Sequence, residues 1–364
     1  MGRRVGCTLA GSGKALNAFM SYCDLLIKSG RQKGKGDYML ALRWHGRGDV
    51  RLEEVEYPPE PGPGEVQLRI LWCGICGTDV EEYKNDPIFI STEGPHPLTG
   101  RSAPLILGHE FCGEVVAVGP GVDRYEYGDR VAADTLIFCG ECYWCKRHQV
   151  ALCQKLAALE LMADGGLAEL CNAPAYTCRA VPNGMSSEAA ALAETLAVAV
   201  RALRRGRLRT GERVAVVGAG AVGLMALQAA GAGGASTVSV VEPLPGRRRL
   251  ASALGAGETY APEEVPEIQA DLVVECSGGA QAIQTAIRAT RKGGRVVLVG
   301  IYGRPSEIDF LEIVATEKEI IGSLSHFYDE DFDASLALLG RGAVRAEPLV
   351  SDPRRTMPAT TGFL

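Results

Sequence analysis

The glycine-rich segment that follows one short apolar run constrains the fold more than any other part of the chain. Val214–Val217 leads directly into GAGAVG, which places Gly218, Gly220 and Gly223 in a G-x-G-x-x-G pattern. The first two glycines permit a tight turn and a close backbone approach to a pyrophosphate, and the third permits close packing of a helix on a strand. The free N–H groups that begin the following helix favour the same anion. The pattern predicts a dinucleotide loop, although alone it also fits a glycine-rich turn in another α/β fold.

Short apolar runs alternate with helical or glycine-rich segments through the second half of the chain. The predicted strands are Arg213–Val217, Thr237–Val241, Asp271–Glu275, Arg295–Val299 and Glu319–Leu324. Runs of this kind are typical of a parallel sheet that is covered on both faces. The segment between Tyr260 and Asp271 is short for a crossover helix. The second half is therefore predicted to be an α/β, doubly wound Rossmann sheet.

The first half of the chain has a different texture. Val66–Trp72, Gly113–Gly119 and Asp129–Ala133 are β-type runs separated by Gly and Pro, which predicts a β-rich, barrel-like domain. An Ala/Leu-rich helix with a serine cap is predicted from about Ser187. Residues 1–38 are basic but lack the sustained apolar core of a secretory signal, so they are predicted to be a disordered extension.

The residue that ends the strand after the glycine loop bears on the choice of dinucleotide. Glu242 follows Thr237–Val241, where a carboxylate can accept both ribose hydroxyls and would repel a 2′-phosphate. This position favours NAD over NADP. Arg247, together with Arg248 and Arg249, follows closely and would soften that preference.

Four cysteines crowd into fifteen residues as C-x2-C-x2-C-x7-C. They are Cys139, Cys142, Cys145 and Cys153. Four thiolates in so short a loop can close tetrahedrally on a structural zinc ion. An iron–sulfur run also begins in this way, but it would place the fourth cysteine after three residues and before a proline. Disulfides would need an oxidising compartment, whereas crowded thiols favour metal binding and a reducing cytoplasm.

A second group of possible metal ligands lies around the segments CGICGTD and GHE. Cys76 and His109 supply two ligands of a catalytic zinc site, which needs about three protein ligands and an open position. Either Glu194 or Glu110 supplies the third, with the other acting from behind it. Asp79 is the candidate to orient His109 through its second ring nitrogen. Taken singly, each of these side chains also fits an ordinary place in a protein core.

Charge and hydropathy restrict the partners of the chain. The formal net charge is −6, which argues against a nucleic-acid-binding surface. No apolar run reaches the roughly 18 residues that a membrane helix needs. The predicted partner is therefore a small molecule rather than a nucleic acid or a membrane.

Several motifs occur in one order along the chain. They are ICGTD, GHE followed by GEVVAVG, the four-cysteine lobe, AETLAVA and VVGAGAVG. In this order the chain resembles the zinc-containing medium-chain alcohol dehydrogenases from Met39 to about Asp352. Within that family the segment Asp86–Pro104 and the later EPLVSD are similar to those of 2,3-butanediol dehydrogenases, and sorbitol and threonine dehydrogenases share the rest.

This resemblance implies a fold and a domain order. A GroES-like catalytic domain is expected, with the Rossmann domain threaded into it. The implied bounds are 1–38 for the extension, 39–186 for the catalytic domain with its zinc lobe, 187–325 for the NAD-binding domain, and 326–364 for the return to the catalytic domain. Homodimers or homotetramers are usual in the family.

The resemblance also implies the chemistry. A catalytic zinc is expected at Cys76, His109 and Glu194, with Glu110 as an alternating ligand. The hydroxyl of Thr78 is expected to start proton removal from a secondary alcohol, which then gives a hydride to NAD. The products are a ketone and the reduced nicotinamide.

Three departures from the family pattern keep other hypotheses open. Glu81 stands where many relatives carry a histidine relay, and Thr195 replaces a proline. After Asp352 the chain reads PRRTMPATTGFL, whereas relatives continue for about one more strand–helix–strand unit. An active diol or polyol dehydrogenase is the first hypothesis. A zinc- and NAD-binding relative without catalysis is the second, and an iron–sulfur electron carrier is the third.

Overall fold

The computed structural model describes residues 38–85, 87–265, 268–302 and 305–350. These residues form two compact units, and the boundary along the chain lies between Glu194 and Thr195. Of the predicted N-terminal extension, Tyr38 begins the first strand, while the remainder lies outside the described residues. The predicted shortened end beyond Val350 also lies outside them.

The described part of the first unit is mainly β-structure. Its strands are β1 (Tyr38–Gly46), β2 (Asp49–Glu56), β3 (Glu65–Gly74), β4 (Leu105–Ile106), β5 (Glu110–Val118), β6 (Arg130–Ala133), β7 (Leu136–Ile137), β8 (Ala157–Ala158), β9 (Leu170–Pro174) and β10 (Cys178–Ala180). They form sheets in the orders β2-β1-β4, β10-β6-β5-β3-β9 and β7-β8. The core between them includes the fully buried Trp44, Leu68 and Phe111. The three β-type runs predicted from the sequence fall in β3, β5 and β6.

Two helices of the first part of the chain bear on the site. Helix α1 (Gly77–Lys84) follows β3 after a two-residue turn. Helix α2 (Ser187–Ala191) begins where the Ala/Leu-rich helix was predicted, and the Ser186 hydroxyl accepts a hydrogen bond from Ala189 N at 3.2 Å. This bond satisfies one of the free N–H groups at the start of the helix.

The prediction of one continuous helix after Ser187 is wrong. Leu192 leaves the helical conformation with ψ near 1°, and helix α3 (Ala193–Arg205) begins immediately afterwards. Alanine and leucine favour helix on both sides of this break, so local propensity could not locate it. The break places Glu194 in the first turn of α3.

The second unit is built on a six-stranded parallel sheet. Its strands are β11 (Arg213–Val217), β12 (Thr237–Val241), β13 (Glu258–Tyr260), β14 (Ala270–Glu275), β15 (Thr290–Leu298) and β16 (Glu319–Gly322). Their spatial order is β13-β12-β11-β14-β15-β16, which is the 3-2-1-4-5-6 order of a Rossmann fold. The predicted doubly wound sheet is confirmed. Strand β15 begins five residues before its predicted start, and β16 ends two residues before its predicted end.

Helices accompany this sheet. They are α4 (Ala221–Ala232), α5 (Pro245–Ala253), α6 (Ala282–Ala289), α7 (Phe310–Ala315) and α8 (Glu330–Gly340). Helix α4 is buried on nearly all sides from Gly223 to Ala230, as expected for a helix without a polar face. None of the described helices has the length and apolar character needed to cross a bilayer.

The short connection before β14 is made without a crossover helix in its described residues. Pro262–Glu264 forms a single 3-10 turn, and Val265 and Ile268 pack against the core of the parallel sheet. These two side chains cover part of the face that a helix would otherwise bury. The short sequence distance between Tyr260 and Asp271 therefore correctly indicated a connection without a full crossover helix.

Candidate active site and metal centres

Cys76 lies at the start of a helix. It is the N-cap of α1, and its backbone N–H donates to Asp79 Oδ2 at 2.7 Å. A carboxylate in the first turn also complements the positive end of the helix dipole. Asp79 therefore fixes the backbone that carries the Cys76 thiol.

His109 follows Gly108 in a turn that requires glycine at position 108. Gly108 has φ of +93°, and a β-carbon there would come within 2.5 Å of Cys73 Sγ and 2.7 Å of Leu167 Cγ. The turn connects β4 to β5, so His109 lies immediately before β5 and Glu110 is the first residue of that strand. Both side chains are buried.

These turns bring three predicted ligands together. One donor atom from each of Cys76, His109 and Glu110 lies within 4.8 Å of the other two. Glu110 packs against Gly74, because a β-carbon on Gly74 would overlap the Glu110 carboxylate. A thiol, an imidazole and a carboxylate at this spacing form a donor set that suits zinc.

The charges of the site act strongly on its titratable groups. Burial raises the pKa of the Cys76 thiol to about 11, and the neighbouring Glu110 and Glu194 carboxylates add to the rise. Burial by itself lowers the pKa of His109, but the negative charges of Glu160 and Cys76 outweigh it and hold that pKa well above its usual value. The negative charges gathered here therefore favour a positive charge in the site.

Two other predicted residues lie beside this cluster. Glu194 is buried and near enough for its charge to act on Cys76, but it is not one of the three residues whose donor atoms lie within 4.8 Å. The Thr78 hydroxyl lies 3.7 Å from Cys76 Sγ. Glu110 is therefore the carboxylate that the described structure groups with Cys76 and His109, while Glu194 stands next to them.

Glu160 was not predicted from the sequence to belong to this site. Its Oε1 lies 2.7 Å from His109 Nδ1, although this contact is not aligned as a straight hydrogen bond. Its Oε2 accepts from Gly108 N at 2.5 Å. Asp79, predicted to orient His109, lies in the same buried cluster but bonds to the Cys76 backbone. A single acidic residue in the apolar segment LAALELMA was the only available signal.

The four-cysteine lobe has the geometry of a zinc site. Its Sγ–Sγ distances are 3.5 Å for Cys142–Cys145, 3.5 Å for Cys139–Cys153 and 3.9 Å for Cys139–Cys145. Four sulfurs at about 2.3 Å from a tetrahedral zinc lie about 3.8 Å apart, whereas a disulfide needs about 2.05 Å. All four cysteines are free thiols. Backbone N–H groups of Cys145 and Gln154 lower the pKa of Cys142 to about 6, which favours the thiolate that a metal requires.

The glycine loop connects β11 to α4 as predicted. Gly218 has φ of +96°, and Gly220 is the N-cap of α4. A β-carbon on Gly223 would overlap the carbonyl oxygen of Gly218. The loop therefore has the tight turn, the free helix N-terminus and the close packing that a pyrophosphate site uses.

Glu242 lies behind this loop. Its Oε2 accepts from Ala219 N at 2.8 Å and its Oε1 accepts from Leu244 N at 2.9 Å. Arg248 donates to the carbonyl oxygens of Glu242 and Pro243 at 2.7 and 2.8 Å. The half-buried Arg247 has no hydrogen-bond partner for its Nε among the described residues.

Comparison with known proteins identifies the class. The family model for the alcohol dehydrogenase GroES-like domain matches residues 62–183, and the model for zinc-binding dehydrogenases matches residues 221–341. The (R,R)-butanediol dehydrogenase of Bacillus subtilis is 36% identical over 326 residues, which cover 86% of this chain and 91% of that protein. The chain therefore belongs to the zinc-containing medium-chain alcohol dehydrogenase family.

Individual relatives agree with this assignment. The L-threonine 3-dehydrogenase of Pyrococcus horikoshii is 35% identical over 83% of this chain and 87% of its own length. The crystal structure of 2R,3R-butanediol dehydrogenase from Bacillus subtilis superposes with a TM-score of 0.78 at 35% identity, and the match covers 86% of this chain and 91% of that one. The fold and family expected from the motifs are thus confirmed.

Proposed function

We propose that the chain is an NAD-linked dehydrogenase of secondary alcohols, with a vicinal diol such as 2,3-butanediol or a polyol as substrate. The observation that carries this proposal is the grouping of Cys76, His109 and Glu110 within 4.8 Å, with the Thr78 hydroxyl beside the thiol. The names of the butanediol and threonine dehydrogenases that match the chain support a substrate with a hydroxyl on a secondary carbon.

Zinc would be held by Cys76, His109 and one carboxylate, either Glu110 or Glu194. When bound, it lowers the pKa of a hydroxyl group towards neutrality. Thr78 is proposed to accept the proton of the substrate hydroxyl while its own hydroxyl proton passes on towards solvent, because its hydroxyl lies beside Cys76. The carboxylate that does not bind the metal is left to contact a second substrate hydroxyl.

The second zinc would be structural. Cys139, Cys142, Cys145 and Cys153 would hold it, and their sulfur spacing supports this assignment. The lobe is too short to have its own apolar core, so metal binding would supply its stability. A structural zinc ion in the lobe takes no part in the reaction and gives no information about the substrate.

NAD is the proposed dinucleotide. Gly218, Gly220 and Gly223 would bind its pyrophosphate, and Glu242 would accept the ribose hydroxyls and repel a 2′-phosphate. Arg247 lies on the next helix and would lie near the adenosine part of the cofactor. Four thiols crowded together as metal ligands, rather than paired in disulfides, support a reducing cytoplasm as the compartment.

A homodimer or homotetramer is the proposed assembly. Among the described strands, β16 is an edge of the parallel sheet, and an edge strand offers unpaired backbone groups to another chain. Phe310, Leu311 and Val314 on α7 are each more than two-thirds exposed. Exposed apolar side chains of this size are typical of a surface that another subunit covers.

Alcohol-dependent reduction of NAD tests the proposal. The expected result is formation of NADH with 2,3-butanediol or a polyol, and loss of that activity in Cys76→Ser together with one zinc ion per chain. Cys276→Ser, outside both metal clusters, is the matched control and keeps both zinc ions. Retention of full zinc in Cys76→Ser would contradict the assigned site.

A further inference from the structure

Glu160 combines two features that are unusual for a glutamate. Its side chain is fully buried, and its backbone has φ of +80°. Positive φ is uncommon for a residue with a side chain, and it persists where the surroundings fix the residue. Burial of a carboxylate likewise needs partners that compensate for the lost hydration.

The partners of the Glu160 carboxylate belong to the Gly108–His109 turn. Glu160 Oε2 accepts from the backbone N–H of Gly108 at 2.5 Å, and Oε1 lies 2.7 Å from the Nδ1 of His109. One carboxylate therefore contacts the turn that carries the histidine and also the histidine ring. With Nδ1 facing Glu160, Nε2 is the ring nitrogen left for a metal.

The other buried carboxylate of this cluster has a different partner. Asp79 Oδ2 accepts from Cys76 N at 2.7 Å, so Asp79 holds the backbone of the cysteine. Asp79 also has a carboxylate oxygen within 4.8 Å of a ring nitrogen of His109, but the short contact with that ring, at 2.7 Å, is made by Glu160.

We propose that Glu160 is the positioning residue of His109, holding the ring with Nε2 directed toward the metal position. The inference rests on the proposed zinc site. A carboxylate behind a metal-binding histidine fixes its tautomer and ring orientation and strengthens the ligand. Metal binding is expected to straighten the short but poorly aligned Nδ1–Oε1 contact, since such contacts often tighten in the functional complex.

The test is the zinc affinity of the full-length protein, measured by competition with a chromophoric chelator. Glu160→Gln keeps an acceptor for Gly108 but removes the charge beside His109. The expected result is about 10–100-fold weaker binding of the zinc at Cys76 and His109, with the zinc of the four-cysteine lobe retained. Cobalt substituted at the Cys76 site should show a changed thiolate absorption band in this variant.

Two controls separate positioning from folding. Glu275→Gln neutralises another fully buried carboxyl, one that accepts from Ser277 N and lies in the other unit, and should leave zinc affinity unchanged. Glu160→Gly suits the positive φ, so this variant should fold and still bind zinc weakly at the Cys76 site. Equal zinc affinity in wild type, Glu160→Gln and Glu160→Gly would overturn the inference. A wild-type protein that takes up only the lobe zinc would overturn the proposed catalytic site itself, and the inference with it.

Discussion

The carbonyl oxygen of Gly218 occupies the space that a β-carbon on Gly223 would need. This contact joins the end of β11 to the first turn of α4, where the dinucleotide loop turns from strand to helix. Gly220, between them, has an ordinary φ of −74°, and no atom of the described residues beyond its chain neighbours lies within 4 Å of its β-position. Glycines of one motif therefore meet different physical requirements.

The first prediction follows from that difference. Gly223→Ala should lower the free energy of unfolding by about 1–3 kcal/mol, because the methyl group must displace backbone. Gly220→Ala is the control: it should unfold as wild type does but bind NAD more weakly, since its methyl group would face the space left for the pyrophosphate. Chemical denaturation and calorimetric titration with NAD measure the two effects. Equal stability of Gly223→Ala and wild type would contradict the close contact.

The second prediction concerns proton transfer. Thr78→Val preserves the shape of the side chain but removes the hydroxyl beside Cys76. The expected result is a fall in kcat of about 10²–10⁴-fold, the usual contribution of a positioned proton acceptor. The zinc content should not change, and Thr78→Ser should restore most of the activity. A Thr78→Val enzyme with wild-type kcat would exclude this role.

The third prediction concerns the four-cysteine lobe. Cys142→Ser should lose one zinc ion per chain and unfold at a lower temperature, because the metal supplies the stability of this segment. Chelation of the wild-type protein should produce a similar shift. Cys276→Ser serves as the control because it lies outside both clusters. Visible absorbance from an iron–sulfur cluster in purified protein would instead support the competing interpretation of the lobe.

The fourth prediction concerns acid stability. Burial by itself raises the pKa of Asp271, but Arg291 Nε at 2.5 Å and the backbone N–H of Arg213 at 2.8 Å outweigh it and lower that pKa. A pKa that is lower in the folded than in the unfolded protein gives stability above the unfolded value near pH 4, and this stability is lost as the pH falls through the folded value.

Asp271→Asn tests this account. At pH 7 the variant should have a free energy of unfolding lower by a few tenths to about 1 kcal/mol, which is typical of a partly exposed ion pair. The difference from wild type should shrink as the pH is lowered below about 4. Denaturation curves across this pH range provide the measurement. A difference that stays constant with pH would show that the substitution acts through something other than the charge.

Features that depend on neighbouring residues could be predicted from the sequence. Strand β11, the glycine loop and the four-cysteine lobe are each defined by residues that lie within a few positions of one another in the sequence. Glu160 could not be found in this way, because its meaning comes from His109, far away along the chain. The break at Leu192 was also hidden, because alanine and leucine suit a helix on both sides. The choice between Glu110 and Glu194 depends on how two distant turns meet.

The most direct test of the central claim is NAD reduction at alkaline pH with 2,3-butanediol, sorbitol and threonine side by side, with zinc counted on the same sample. The account predicts two zinc ions per chain, one in each donor cluster, and NADH formation with the diol or the polyol. Two bound zinc ions and bound NAD with no reduction by any of these alcohols would contradict it, and would identify a zinc- and NAD-binding relative without catalysis.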